Sequence, residues 1–198
     1  MEADWSVEIG PELPEIHVPW EGFVDLRQTD LRQTPTELQA IAEAARFPAL
    51  ARALTTLNGP GCWVFTAKSD VWSMTDSEID PYEFAALPEN ALCGAASYID
   101  LLAHDEANFV RFDFHECRAR QIVQELRALD LSNGRVDLVI RAAVLDGLEG
   151  YGITLYAAGC GTDAAGARTS WESVLTATVL ATIRTTGSTS PPAPITGE

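Results

Sequence analysis

The sequence predicts an α+β fold. It reads as a two-layer domain with a mostly antiparallel, five-stranded sheet and helices on one face, in the order α-β-β-β-α-β-β-α, preceded by an extended N-terminal arm. Three observations carry this. Alternating apolar and polar residues recur in segments separated by short polar or glycine-rich stretches, as in hairpins. Three other segments place apolar residues three and four apart, as on helices that cover a sheet. Of 198 residues, 46% are hydrophobic and 21% charged, enough apolar material for a core without metal or disulfide support. The expected organisation is an acidic arm over 1–33, one domain over 34–184, and a low-complexity tail over 185–198.

The arm holds eight acidic residues before position 31 against Arg27 alone, yet Trp5, Val7, Ile9, Ile16, Val18, Trp20 and Phe23 are too apolar for a free tail. Such an arm packs on its own domain or on a partner subunit. It ends in VDLRQTDLRQT, two copies of Asp-Leu-Arg-Gln-Thr that look like units of an acidic pentapeptide β-helix. Two units do not complete a coil, and coils of that kind bury their leucines only by stacking on neighbours. Thr34, Pro35 and Glu37 then form a helix start with a capping box, so the repeat reads as a hinge. The helix continues past a restart at Pro48 to Leu57 and stops at Asn58-Gly59-Pro60-Gly61.

Residues 62–72 are aromatic and β-branched, hence a strand. A first hairpin is expected to pair 97–103 with 108–114, setting Leu101, Ile99 and Ser97 opposite Val110, Phe112 and Phe114. On its other face Asp100 would oppose Arg111, and Tyr98 would oppose Asp113. A helix over 116–131 buries Ala119, Ile122, Val123, Leu126 and Leu129. A second hairpin pairs 135–145 with 151–160 around Gly147–Gly150, with Ile140, Ala142 and Val144 against Ala157, Leu155 and Ile153. Its other face sets Arg141 beside Tyr156. The segment 170–184 fits period 2 as well as period 3.6. A capping box of Thr169 with Glu172 decides for helix.

A net charge of −16 leaves no basic patch for phosphates, so no nucleic-acid partner and no anionic membrane surface is expected. No stretch of about 18 apolar residues occurs, and the N-terminus lacks the features of a secretory signal, which makes the expected compartment the cytoplasm. The widely spaced Cys62, Cys93, Cys117 and Cys160 form no zinc knuckle and are expected as reduced, buried small hydrophobes.

Several constellations suggest chemistry, and each has a plainer reading. Gly159-x-Gly161-x-x-Ala164 has dinucleotide-fingerprint spacing, but its strand belongs to a hairpin and Asp163 would repel phosphate, so no cofactor is expected. Asp113, His115 and Cys117 would share a face only if the strand continued; at a helix start they cap and pack, so no metal is expected. His104-Asp105-Glu106 reads as turn chemistry, and Asp76, Glu78, Asp80 and Glu83 lack calcium-loop spacing.

What stands out is the second sheet face, with Tyr98, Asp100, Arg111, Asp113, Arg141 and Tyr156 as candidate binding residues of types enriched in interfaces. The element order and acidic charge resemble class I type III secretion chaperones over about residues 34–184. That resemblance implies a homodimer that binds an extended segment of another protein. The expectation is therefore a non-enzymatic, homodimeric, protein-binding module. Its alternatives are a small-molecule-binding domain or enzyme with a pocket at Tyr98, Asp100, Arg111, Asp113 and His115, and a phage or secretion-system structural protein.

Overall fold

The computed structural model describes residues 1–19, 26 and 38–184. The expected cap at Thr34, the repeat as a whole and the tail lie outside the described residues. The fold is α+β, and its sheet is six-stranded and mixed. The strands are β1 (Glu2–Glu8), β2 (Ile16–Val18), β3 (Val64–Met74), β4 (Cys93–Ala103), β5 (Gly134–Leu145) and β6 (Leu148–Gly161). The spatial order is β1-β5-β6-β4-β3, with β2 continuing the line of β1 along β5. β1 and β2 run parallel to β5; the other pairs are antiparallel. The arm thus supplies two edge strands in cis. Glu8 lies opposite Arg141 and Ile16 opposite Ala143, while residues 9–15 loop out between them.

The helices are α1 (Ala42–Arg46), α2 (Pro48–Leu57), α3 (Glu106–Phe109), α4 (Phe112–Arg127) and α5 (Ala164–Arg184). The main core lies between α2, α4, α5 and one sheet face, which presents Ile99, Leu101, Val136, Leu138, Ile140, Ile153, Leu155 and Ala157. The ambiguous C-terminal segment is the helix α5. Its strand-like set Trp171, Leu175 and Val179 is spaced by four, which a helix also aligns. Val174 and Thr178, both buried, complete the stripe. Its β-branched threonines turn their hydroxyls onto carbonyls four residues back, Thr178 onto Val174 and Thr182 onto Thr178, so no buried donor is stranded. Trp171 is fully buried, and its indole N–H donates to Ser97 Oγ at 2.9 Å.

The expected hairpin 97–103/108–114 does not form. Both sides of β4 are already taken: Leu101 faces Thr66 of β3 and Ile153 of β6. A third strand has no place there. Residues 104–114 turn into helix instead, because the Asp105 carboxylate accepts the Asn108 N–H at 2.9 Å and caps α3. Within α4, His115, Ala119, Ile122, Val123 and Leu126 form a buried stripe at helical spacing. The helix begins four residues before the expected 116.

The second hairpin forms in a different register. Its turn is Asp146-Gly147, with φ of 50° and 87°, and Leu145 pairs with Leu148. Ile140 therefore faces Ile153 rather than Ala157. The shift is even, so the residues keep their faces.

Gly159 and Gly161 serve packing. A Cβ on Gly159 would lie 2.1 Å from the Trp171 backbone nitrogen, and one on Gly161 2.4 Å from that of Ala167. α5 lies backbone to backbone on β6 at these points. The four cysteines are free. Cys160 is buried, Cys62 and Cys93 are half-buried, and Cys117 is exposed, against the expectation that all are buried. Among the described residues, no helix is long and apolar enough to cross a membrane. Gly159→Ala is expected to lower stability by roughly 1–3 kcal/mol through overpacking, read as a lower denaturant midpoint. A variant as stable as the parent would refute the close approach.

Candidate functional site

The sheet face away from the main core carries alternate residues of three inner strands. Tyr98, Asp100 and Leu102 come from β4, Thr154 and Tyr156 from β6, and Arg141 and Ala143 from β5. One end of this face is closed by a small second core of Ile16, Val18, Phe65, Leu102, Phe109 and Ala143. Over the middle lies a pocket of about 290 Å³. Its floor is Tyr98, Asp100, Arg141, Thr154 and Tyr156; residues 14–19 wall one side and Phe65–Lys68 another, with Leu26 also lining it.

Asp100 is 9% exposed. Burial raises its carboxyl above the usual carboxylate range, opposed by the hydroxyl of Thr154 and by the charges of Arg141 and Lys68. Thr154 Oγ1 donates to Asp100 Oδ1 at 2.7 Å. Tyr98 is pushed upward as well, first by burial and then by the charge of Asp100. The Tyr98 and Tyr156 rings lie 6.1 Å apart, and Trp72 continues the row 6.3 Å from Tyr98.

The Arg141 side chain is 9% exposed. Its Nη2 lies 2.9 Å from Glu8 Oε2 and donates to the Tyr156 hydroxyl at 3.4 Å. Its Nη1 is buried and has no hydrogen-bond partner. A guanidinium cannot shed its proton, so this is a permanent buried donor left unused. The Glu8 tether depends on β1 running parallel to β5, which places Glu8 and Arg141 side by side.

Four of the six expected binding residues therefore meet: Tyr98, Asp100, Arg141 and Tyr156. Arg111 and Asp113 do not. They pair with each other at the exposed start of α4, so the expected Asp100–Arg111 opposition is replaced by Asp100 with Thr154. His115 is in the interior instead, against Phe114 and Tyr151. Sequence reasoning missed Thr154, Lys68 and the wall at 14–19. Thr154 was accessible, since it shares the parity of Tyr156. The wall depends on a pairing across most of the chain and had no local signal.

His115 Nδ1 donates to the Arg111 carbonyl at 2.9 Å, which leaves Nε2 bare, buried and without a partner. Burial lowers its pKa from the ordinary 6.5, and that of His104 falls for the same reason. A base whose folded pKa is depressed takes up its proton first in the unfolded chain. Stability is thus expected to be full above about 6.5 and to fall as pH drops towards the folded values; His115→Phe should flatten that slope in unfolding titrations at successive pH. An unchanged slope would show that His115 is not the responsible group. No family model, no curated protein and no solved structure matches this chain.

Proposed function

We propose that this protein binds a small organic anion in the pocket on the open sheet face, with Arg141 receiving the anionic group. The observation that carries this reading is the buried guanidinium lining the pocket with Nη1 unpartnered. Leaving a charged donor buried and unused is costly, and a carboxylate or sulfonate entering from the pocket removes that cost. The volume is near the lower limit of roughly 300 Å³ for ligand pockets, which suits a small ligand. Phe65, Ile16, Val18 and Leu26 supply apolar wall for its body.

A second reading, the homodimeric protein-binding module, is favoured by β3. It ends the sheet, and its outer edge has no strand partner among the described residues. An open edge can add a strand from a second copy or from another protein. A monomer by light scattering would count against the homodimer.

Calorimetric titration with 3-phenylpropionate tests the first reading. Arg141→Gln should weaken binding roughly tenfold to a hundredfold, the range for a hydrogen bond to a charged group. Equal affinity in the variant would sink the assignment. A pH series with benzenesulfonate, which stays ionised, adds a second check. An added anion raises the Asp100 pKa further, so binding takes up a proton and should tighten as pH falls. The other charged or titratable groups facing the ligand are Tyr98, Tyr156, Lys68, Glu15 and His17. Asp100→Asn, which should flatten the profile, assigns the effect to that carboxyl.

A further inference from the structure

We infer that the pocket takes a zwitterion, a small α-amino acid with an apolar side chain, whose carboxylate meets Arg141 and whose ammonium meets Asp100. This rests on the reading of the pocket as an anion site and adds the second half of the ligand.

The pocket is lined by two side chains of opposite sign that are not fully satisfied. Arg141 Nη1 is a donor without a partner. Asp100 has one hydrogen-bond donor among the described residues, Thr154, which takes Oδ1 alone. Both side chains are buried and both line the same pocket. They lie close enough for the charge of Arg141 to act on Asp100. A simple anion satisfies Arg141 and worsens the position of Asp100. A simple amine does the reverse. A molecule carrying both groups satisfies both and adds no net charge beside two buried charged side chains, where unpaired charge is the costly component.

The rings of Tyr98 and Tyr156, 6.1 Å apart, line the same pocket as Asp100, and aromatic rings there favour a cation. Ile16, Val18 and Phe65 leave an apolar wall for a side chain. Burial raises the Asp100 carboxyl, and an arriving ammonium acts on it in the opposite direction, favouring the ionised form.

This makes the pH signature of the amino acid opposite to that of a simple anion. Ammonium binding lowers the Asp100 pKa, so a proton is released and affinity rises with pH through the range in which the empty site titrates.

The test is calorimetry with three probes that share one body: L-phenylalanine, 3-phenylpropionate and phenethylamine. L-Phenylalanine is expected to bind at least tenfold more tightly than either fragment. Asp100→Asn is expected to abolish the advantage of L-phenylalanine over 3-phenylpropionate when both are measured on the variant. Thermal melts establish that the variant folds; if it does not, the pH dependence of the parent protein decides, tightening with pH for L-phenylalanine and weakening with pH for benzenesulfonate. If 3-phenylpropionate binds through Arg141 and L-phenylalanine binds no better, the zwitterion is wrong and the anion site stands. If no probe binds in an Arg141-dependent way, both fall.

Discussion

The two-residue turn at Asp146-Gly147 controls where the side chains of the sheet point. Both residues have positive φ, 50° and 87°, the geometry that matches the twist of a tight hairpin and that Asp-Gly adopts with little strain. The turn brings Leu145 opposite Leu148 and so sets the register of β5 on β6 along their whole length. Val136, Leu138 and Ile140 then face the helices, and Asp137, Val139 and Arg141 face away. A slip of one residue would send the leucines and isoleucines to water and the charges into the core. β4 builds on one side of this hairpin, and β1 and β2 on the other, so the pocket inherits its floor from the same turn.

Parity was legible in the sequence where partners were not. Tyr98, Asp100, Arg141 and Tyr156 can be assigned to one face because a strand alternates regardless of what it pairs with. The register of the second hairpin was misplaced around Gly147–Gly150 because glycine count outweighed the stronger Asp-Gly signal one step earlier. The first hairpin failed for a different reason. Val110, Phe112 and Phe114 alternate, but Phe112 also precedes His115 and Ala119 at helical spacing, and only knowledge that β3 and β6 already flank β4 separates the two patterns. Arg111 and Asp113 left the site with that error. The parallel pairing of β1 and β2 with β5 has no local signature, so neither Glu8 nor the wall at 14–19 could be read from the chain.

The pocket is unusual for an antiparallel sheet face, which commonly stays wet. Here a segment of the arm covers part of it, and Asp100 and Arg141 lose water without gaining each other as direct partners. Each is instead held by a lesser contact: a threonine hydroxyl for Asp100, and an exposed-edge carboxylate with a distant tyrosine hydroxyl for Arg141. Burial of opposite charges without full pairing lowers stability. On the proposed reading it is also the source of selectivity, because a ligand that lacks either complementary group leaves one charge stranded.

The parallel placement of β1 has a consequence for the order of assembly. The amino group of Met1 donates to the carbonyl of Leu131, and 130 residues of chain separate them. The β1 segment therefore has no seat until β5 exists, and closing so long a loop comes late. Meanwhile Trp5 and Val7 are exposed on a strand with no neighbour, which is the circumstance that seeds pairing between chains. Glu2, Asp4 and Glu8, spaced along that same strand, act as gatekeepers during the wait, since like charges in register repel another copy of the segment. The acidic residues of β1 thus disfavour pairing between copies of the strand while it is unseated, and Glu8 meets Arg141 only when β1 docks on β5.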